Sequence, residues 1–116
     1  MSYKKLKTHI DRLVDIEFLI ANTQHSRFAS DHEGYAVLLE EIEEAGVEYD
    51  QIVKFDVRKL WHSVKHDEPE GAAHAAADIK KAAIRLACEA VQIAAMAEKY
   101  TKSQIARHEA DKNGKR

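Results

Sequence analysis

The sequence predicts an all-α protein: a helical hairpin of two long helices, an N-terminal helix packed on it, and a bundle completed by oligomerisation. Three observations carry this. One Pro and four Gly among 116 residues, against many Ala, Leu, Glu and Lys, make a composition of helices rather than of a turn-rich sandwich. Apolar residues recur at helical spacing through three stretches of the chain. In one of these, "LACEAVQIAAMA" (Leu86 to Ala97), apolar residues cover most of the helix circumference, which implies burial on several sides. A monomer of this length has only a modest core to offer such a helix, so a second copy is expected to cover the rest.

The first helix is expected over Tyr3 to Asn22, where Leu6, Ile10, Leu13, Val14, Ile16, Phe18 and Leu19 form an amphipathic pattern with a basic start. "ANTQHSRFASDHEG" carries little apolar period and reads as a connection. Ser30 or Asp31 is placed to cap the next helix, with Glu33 as the reciprocal capping-box residue for Ser30. From Gly34 a long pattern runs through Tyr35, Leu38, Leu39, Ile42, Ala45, Tyr49, Ile52, Val53, Leu60 and Val64, with a bend expected near Gly46. Pro69 and Gly71 in "HDEPEG" mark the clearest turn. The third helix then spans Ala72 to Tyr100 or a little beyond, rich in alanines that favour helix and allow close backbone approach. One all-α domain over 1–102 and a polar tail over 103–116 that frays complete the organisation.

A net charge of −2 gives no field to draw in DNA or an anionic membrane, so nucleic acid is not an expected partner. The single cysteine, Cys88, excludes an intrachain disulfide and reads as a small buried side chain. Charges throughout the first residues leave no signal peptide, and no apolar run is long enough to span a membrane. A cytoplasmic protein is expected.

Within "LACEAVQIAAMA" only Glu89 and Gln92 are fully polar, and their spacing puts both on one helix face. A buried carboxylate is normally paired, protonated or metal-bound. Its partner is sought in "LLEEIEEAGVEYD", where Glu40, Glu41, Glu43 and Glu44 crowd one helix turn. Alone, such a run reads as a solvated helix face. With Glu41-x-x-Glu44 and Glu89-x-x-Gln92 on antiparallel neighbours, three carboxylates and one amide share a groove. These oxygen donors suit magnesium, which keeps several waters and commonly binds substrate phosphates as well.

The wording "HEGYAVLLEEIEE", "LWHSVK" and "EAVQIAAMAEKY" resembles the phage-type branch of the MazG-like, all-α nucleoside triphosphate pyrophosphohydrolases, over roughly Phe28 to Tyr100. The resemblance implies a magnesium-dependent enzyme that cleaves a nucleoside triphosphate to monophosphate and pyrophosphate. It places Glu41 and Glu44 in the family's ExxE motif, Glu89 at the first position of ExxD, and Glu40 at the acidic residue that often precedes the first motif. Gln92 stands where the family has Asp. An amide oxygen ligates without charge, so weaker metal binding and slow or absent turnover follow from that departure.

Lys81 and Arg85 lie eight and four residues before Glu89, near its face, where they are candidates for phosphate contact or ordinary exposed cations. His32 matches the family's "HEGY" wording, as a substrate contact or a cap-region residue. His62 and His66, one turn apart, suit zinc or copper but show no third ligand beyond Asp67 or Glu70, and read mainly as solvated histidines. Trp61, with Val57 and Val64, reads as core rather than as a base-stacking ring. The competing reading from another class is a non-catalytic oligomerisation or interaction protein, in which the same polar groups form a buried network that sets subunit register. The expected partners are thus a nucleoside triphosphate and, as a dimer or tetramer, further copies of the chain.

Overall fold

The computed structural model describes residues 2–23, 25 and 27–114, and for 106, 107, 113 and 114 the backbone alone. Among these residues there are helices and no strand: α1 (Tyr3–Ala21), α2 (Asp31–Asp50), a π-helical turn (Gln51–Asp56), α3 (Val57–Lys65) and α4 (Pro69–Gly114). The all-α class, the helical hairpin and the N-terminal helix are as the sequence predicts. No helix is long and apolar enough to cross a membrane, among the described residues. The chain divides into two compact units, one of Met1–Glu41 with Val91–Arg116 and one of Ile42–Ala90.

In the first unit the core is Phe28, Ala95 and Met96, packed against Val14, Phe18, Ala21, Val37, Leu38 and Tyr100. Phe28 comes from the connection that the sequence marks as polar. Its backbone N–H donates to Ser103 Oγ (2.9 Å), and that hydroxyl donates to Lys99 O (2.8 Å), so a buried hydroxyl fastens the connection to α4. Lys99 is itself buried: its ammonium donates to Ala21 O and lies 4.8 Å from the Phe28 ring centre. The α2 cap follows the expected pairing in one half, where Glu33 N–H donates to Ser30 Oγ; in the other, Glu33 Oε1 accepts from the N–H of Ala29, one residue before the cap, rather than from Ser30.

Most of the apolar row of α1 is not covered. Leu6, Ile10, Leu13, Ile16, Leu19 and Ile20 are exposed, and only Val14, Glu17, Phe18 and Ala21 turn toward the rest of the unit. The segment expected to fray is helical as far as Gly114, with Ser103 buried and Gln104 donating to Asp31 and Tyr100 Oη. Lys115 and Arg116 lie outside the described residues.

The second unit is a helical hairpin. The long pattern departs from α geometry at Gln51–Asp56, where Val57 N–H reaches back five residues to Ile52 O, and not at Gly46, which is regular α-helix. The π turn aligns side chains five apart: Gln51 Nε2 donates to Asp56 Oδ1 at 3.0 Å, a pair that an α-helix would set about 140° apart around its axis. Asp56 is 1% exposed. The hairpin turn is tighter than expected, because Pro69 opens α4, a position that needs no N–H, and Gly71 falls inside the first turn. Trp61, Val57 and Val64, expected in the core, are exposed, and so is Cys88, which sits beside rather than on the packing seam of α4.

Two glycines predict opposite responses to the same substitution. A Cβ at Gly34 would collide with the Tyr100 ring and press on Phe28, whereas one at Gly46 meets nothing within 4 Å. Gly34→Ala is expected to cost about 1–3 kcal/mol by overpacking. Gly46→Ala is expected to stabilise by about 0.5–1 kcal/mol through helix propensity. Denaturant melts of the two variants check the signs.

Candidate metal centre

The packing seam of α4 within the second unit is Ala75, Ile79, Ala82, Leu86 and Glu89, alternately four and three residues apart, with Ala75 and Ala82 fully buried and the others half-buried. That alternation is the spacing of a packed helix stripe, so the sequence itself carries Glu89 onto the buried face. One carboxylate oxygen, Oε2, is buried with no hydrogen-bond partner. On the other helix the half-buried positions Glu41, Ala45, Glu48 and Ile52 repeat the same alternation, with Glu44 exposed beside them.

Glu41, Glu44 and Glu89 each offer a carboxylate oxygen, and these oxygens all lie within 4.8 Å of one another. Glu44 and Glu89 belong to the second unit, and Glu41 precedes Glu44 by one turn of the unbroken α2. Three carboxylates this close repel unless a cation joins them or one is protonated. The donor set is oxygen only, which a hard divalent cation prefers, and the orphaned Glu89 oxygen is the kind of atom such an ion satisfies. The residues present therefore fit magnesium.

The other expected site residues fall in different places. Glu40 is exposed on α2 and outside the three-oxygen group. Gln92 is half-buried and donates through Nε2 to Glu17 Oε2 at 2.9 Å, a pair within the first unit. Its amide nitrogen is thereby occupied, so only its carbonyl oxygen is left for a cation. His32 stands exposed in the first turn of α2. Arg85 makes a 2.6 Å ion pair with Glu48, and with Lys81 it lines a polar cavity of about 160 Å³ together with Gln51, Asp56, Lys59 and Asp78.

Glu17 and Asp56 escaped the sequence reading. For Glu17 a signal existed, since it shares the helical stripe of Val14, Phe18 and Ala21 and is the only charged residue on it. Asp56 gave none, because its burial depends on the π turn, which shifts the helical register by one residue in a way no apolar period announces.

Replacing Glu89 by Gln removes one of three crowded charges and supplies an amide donor to the other two. Without metal, Glu89→Gln is expected to stabilise the protein by on the order of 0.5 kcal/mol. Wild type is expected to gain about 2.7 kcal/mol at a magnesium concentration a hundredfold above its dissociation constant. Glu89→Gln and Glu41→Gln are expected to lose that gain, as thermal melts with and without magnesium will read. Comparison of the chain with protein-family models, with curated proteins and with solved structures gives no match, so the functional reading rests on the carboxylate geometry and on the motif wording of the sequence.

Proposed function

We propose that the chain is a magnesium-dependent nucleotide pyrophosphohydrolase of the MazG-like kind, cleaving a nucleoside triphosphate to its monophosphate and pyrophosphate in the cytoplasm. The observation that carries this reading is the meeting of Glu41, Glu44 and Glu89 carboxylate oxygens within 4.8 Å, on a packing seam where Glu89 Oε2 is buried without a hydrogen-bond partner. These three carboxylates would hold the ion, with Gln92 contributing an uncharged oxygen at most. Bound magnesium supplies charge neutralisation at phosphate oxygens and a more acidic water. Lys81 and Arg85, on the exposed side of α4 two turns and one turn before Glu89, are the cations nearest in sequence for orienting a polyphosphate. Glu48 holds the Arg85 guanidinium in place through its 2.6 Å pair.

A homo-oligomer belongs to the same proposal. The chain exposes 8773 Å² of surface, where a folded monomer of 13.2 kDa exposes about 6,400 Å². The surplus is rich in large apolar side chains, notably the α1 row from Leu6 to Ile20 and the α3 group of Val57, Trp61 and Val64. Rows of large exposed apolar side chains such as these are what a second copy of the chain would cover.

The non-catalytic assembly reading has one observation in its favour: the Gln92 to Glu17 hydrogen bond is a part-buried polar pair that needs no ion. Activity separates the two. Purified full-length protein with magnesium is expected to release pyrophosphate from at least one nucleoside triphosphate, with Glu41→Gln and Glu89→Gln each reducing the rate by about a hundredfold or more. Absence of release across a panel of triphosphates, with melts indifferent to magnesium, would leave the assembly protein standing. Gln92→Asp provides a second check. It exchanges a donor for a charge facing Glu17, so it is expected to lower stability by about 1–2 kcal/mol without metal. A steeper rise of the melting midpoint with magnesium should accompany that loss, because Asp at this position completes the ExxD motif that the resemblance associates with the ion.

A further inference from the structure

We infer that the turn joining α3 to α4 is a second, chemically distinct metal site, in which His62, His66 and Glu68 bind a borderline-soft divalent cation of the zinc class. One ligand atom from each of these residues lies within 4.8 Å of the other two. All three side chains are solvent-exposed, so an ion reaches them without any opening of the fold.

The third ligand is produced by the way α3 stops. His66 caps the helix, and Asp67 follows in the left-handed conformation with φ 57°, which few residues other than glycine adopt readily. Asp67 N–H then donates to Val64 O (3.2 Å) and Glu68 N–H to Ser63 O (2.9 Å). This pair of backward hydrogen bonds is the Schellman closure, and it folds the chain back over the last helical turn. Glu68 is thereby brought beside two histidines spaced one turn apart, and Pro69 opens the next helix at once. From sequence spacing alone, Asp67 and Glu70 looked better placed.

One of the two histidines is already oriented. His66 Nδ1–H donates to the His62 carbonyl at 2.8 Å, since a carbonyl can only accept. This bond fixes the ring and leaves Nε2 as the nitrogen with a free lone pair, the role that an outer hydrogen bond plays for metal-binding imidazoles. The two rings stack with centroids 4.2 Å apart and 30° between their planes, so they are neighbours, and a rotation of the exposed His62 ring is what turns its nitrogen toward a shared ion.

Two imidazole nitrogens and one carboxylate oxygen form a donor set that zinc accepts in tetrahedral sites, with one position left for water or for a group from another molecule. Magnesium, which demands oxygen donors, does not compete well for it. The three-carboxylate group has the opposite preference, so the chain carries two sites that sort hard from softer ions. A bound ion would tie the last turn of α3 to the residue preceding α4, clasping the hairpin at its tip.

Calorimetric titration of zinc chloride into the metal-free full-length chain tests this, in the Cys88→Ser background to remove the exposed thiol and with millimolar magnesium present to occupy the carboxylate group. One zinc per chain is expected, with His62→Ala and His66→Ala each weakening binding about tenfold or more and Glu68→Gln weakening it measurably. The thermal midpoint is expected to rise with zinc in the parent and not in the histidine variants. Absence of zinc binding, or undiminished affinity in the His62→Ala/His66→Ala double variant, overturns the site. Undiminished affinity in Glu68→Gln alone overturns the three-ligand assignment. Because all three side chains are exposed, the variants are expected to keep the parent's far-ultraviolet circular dichroism.

Discussion

A carboxylate on the packing stripe of α4 is the constraint to which the rest of the candidate site answers. Ala75, Ile79, Ala82 and Leu86 are ordinary occupants of a helix seam, and the next position in the same alternation is Glu89. Burying an ionised carboxylate costs several kcal/mol unless something compensates it. Here the neighbouring helix offers Glu41 and Glu44, which raise that cost rather than lower it. A stripe that could hold a leucine instead holds a charge facing like charges. Such an arrangement is one that an oxygen-binding divalent cation would compensate, and on this the proposed magnesium site rests.

The first unit is organised differently, by polar fastenings around a small core. Phe28 fills the space between helices, and Ser103 satisfies the backbone beside it while its own hydroxyl is satisfied by Lys99 O. The absence of a side chain at Gly34 lets Tyr100 lie against α2. The Gln92 to Glu17 hydrogen bond connects α1 to α4 through a pair of long polar side chains rather than through apolar burial. The larger apolar residues of α1, Leu6 to Ile20, face outward.

The two ends of the hairpin unit also contrast. At the end that carries Glu44 and Glu89 the donors are carboxylates held on regular α-helix, placed by side-chain periodicity alone. At the turn, nitrogen and oxygen donors are gathered by a helix cap and a left-handed aspartate, a backbone device rather than a periodic one. Between them the π turn buries Asp56 against Gln51 and brings it to the wall of the polar cavity that Lys81 and Arg85 also line. Each feature follows from a different local rule, and only the turn and the π segment depend on a departure from regular α-helix.

Helical periodicity was enough to read α1, the α2 cap, the hairpin and the facing of Glu41, Glu44 and Glu89, because these depend on spacings of three and four residues that a sequence displays directly. The tertiary structure decided what spacing cannot encode. It set the register change at Gln51–Asp56, where one extra residue per turn reorders every side chain on the face. It buried Phe28 from a polar connection, through a hydroxyl 75 residues away. Gln92 was matched with Glu17 rather than with the carboxylates of α2, and Glu68 with the histidines rather than Asp67 or Glu70. Long-range partners and backbone reversals arise from which surfaces meet, and that information is distributed over the whole chain rather than held in any one segment of it.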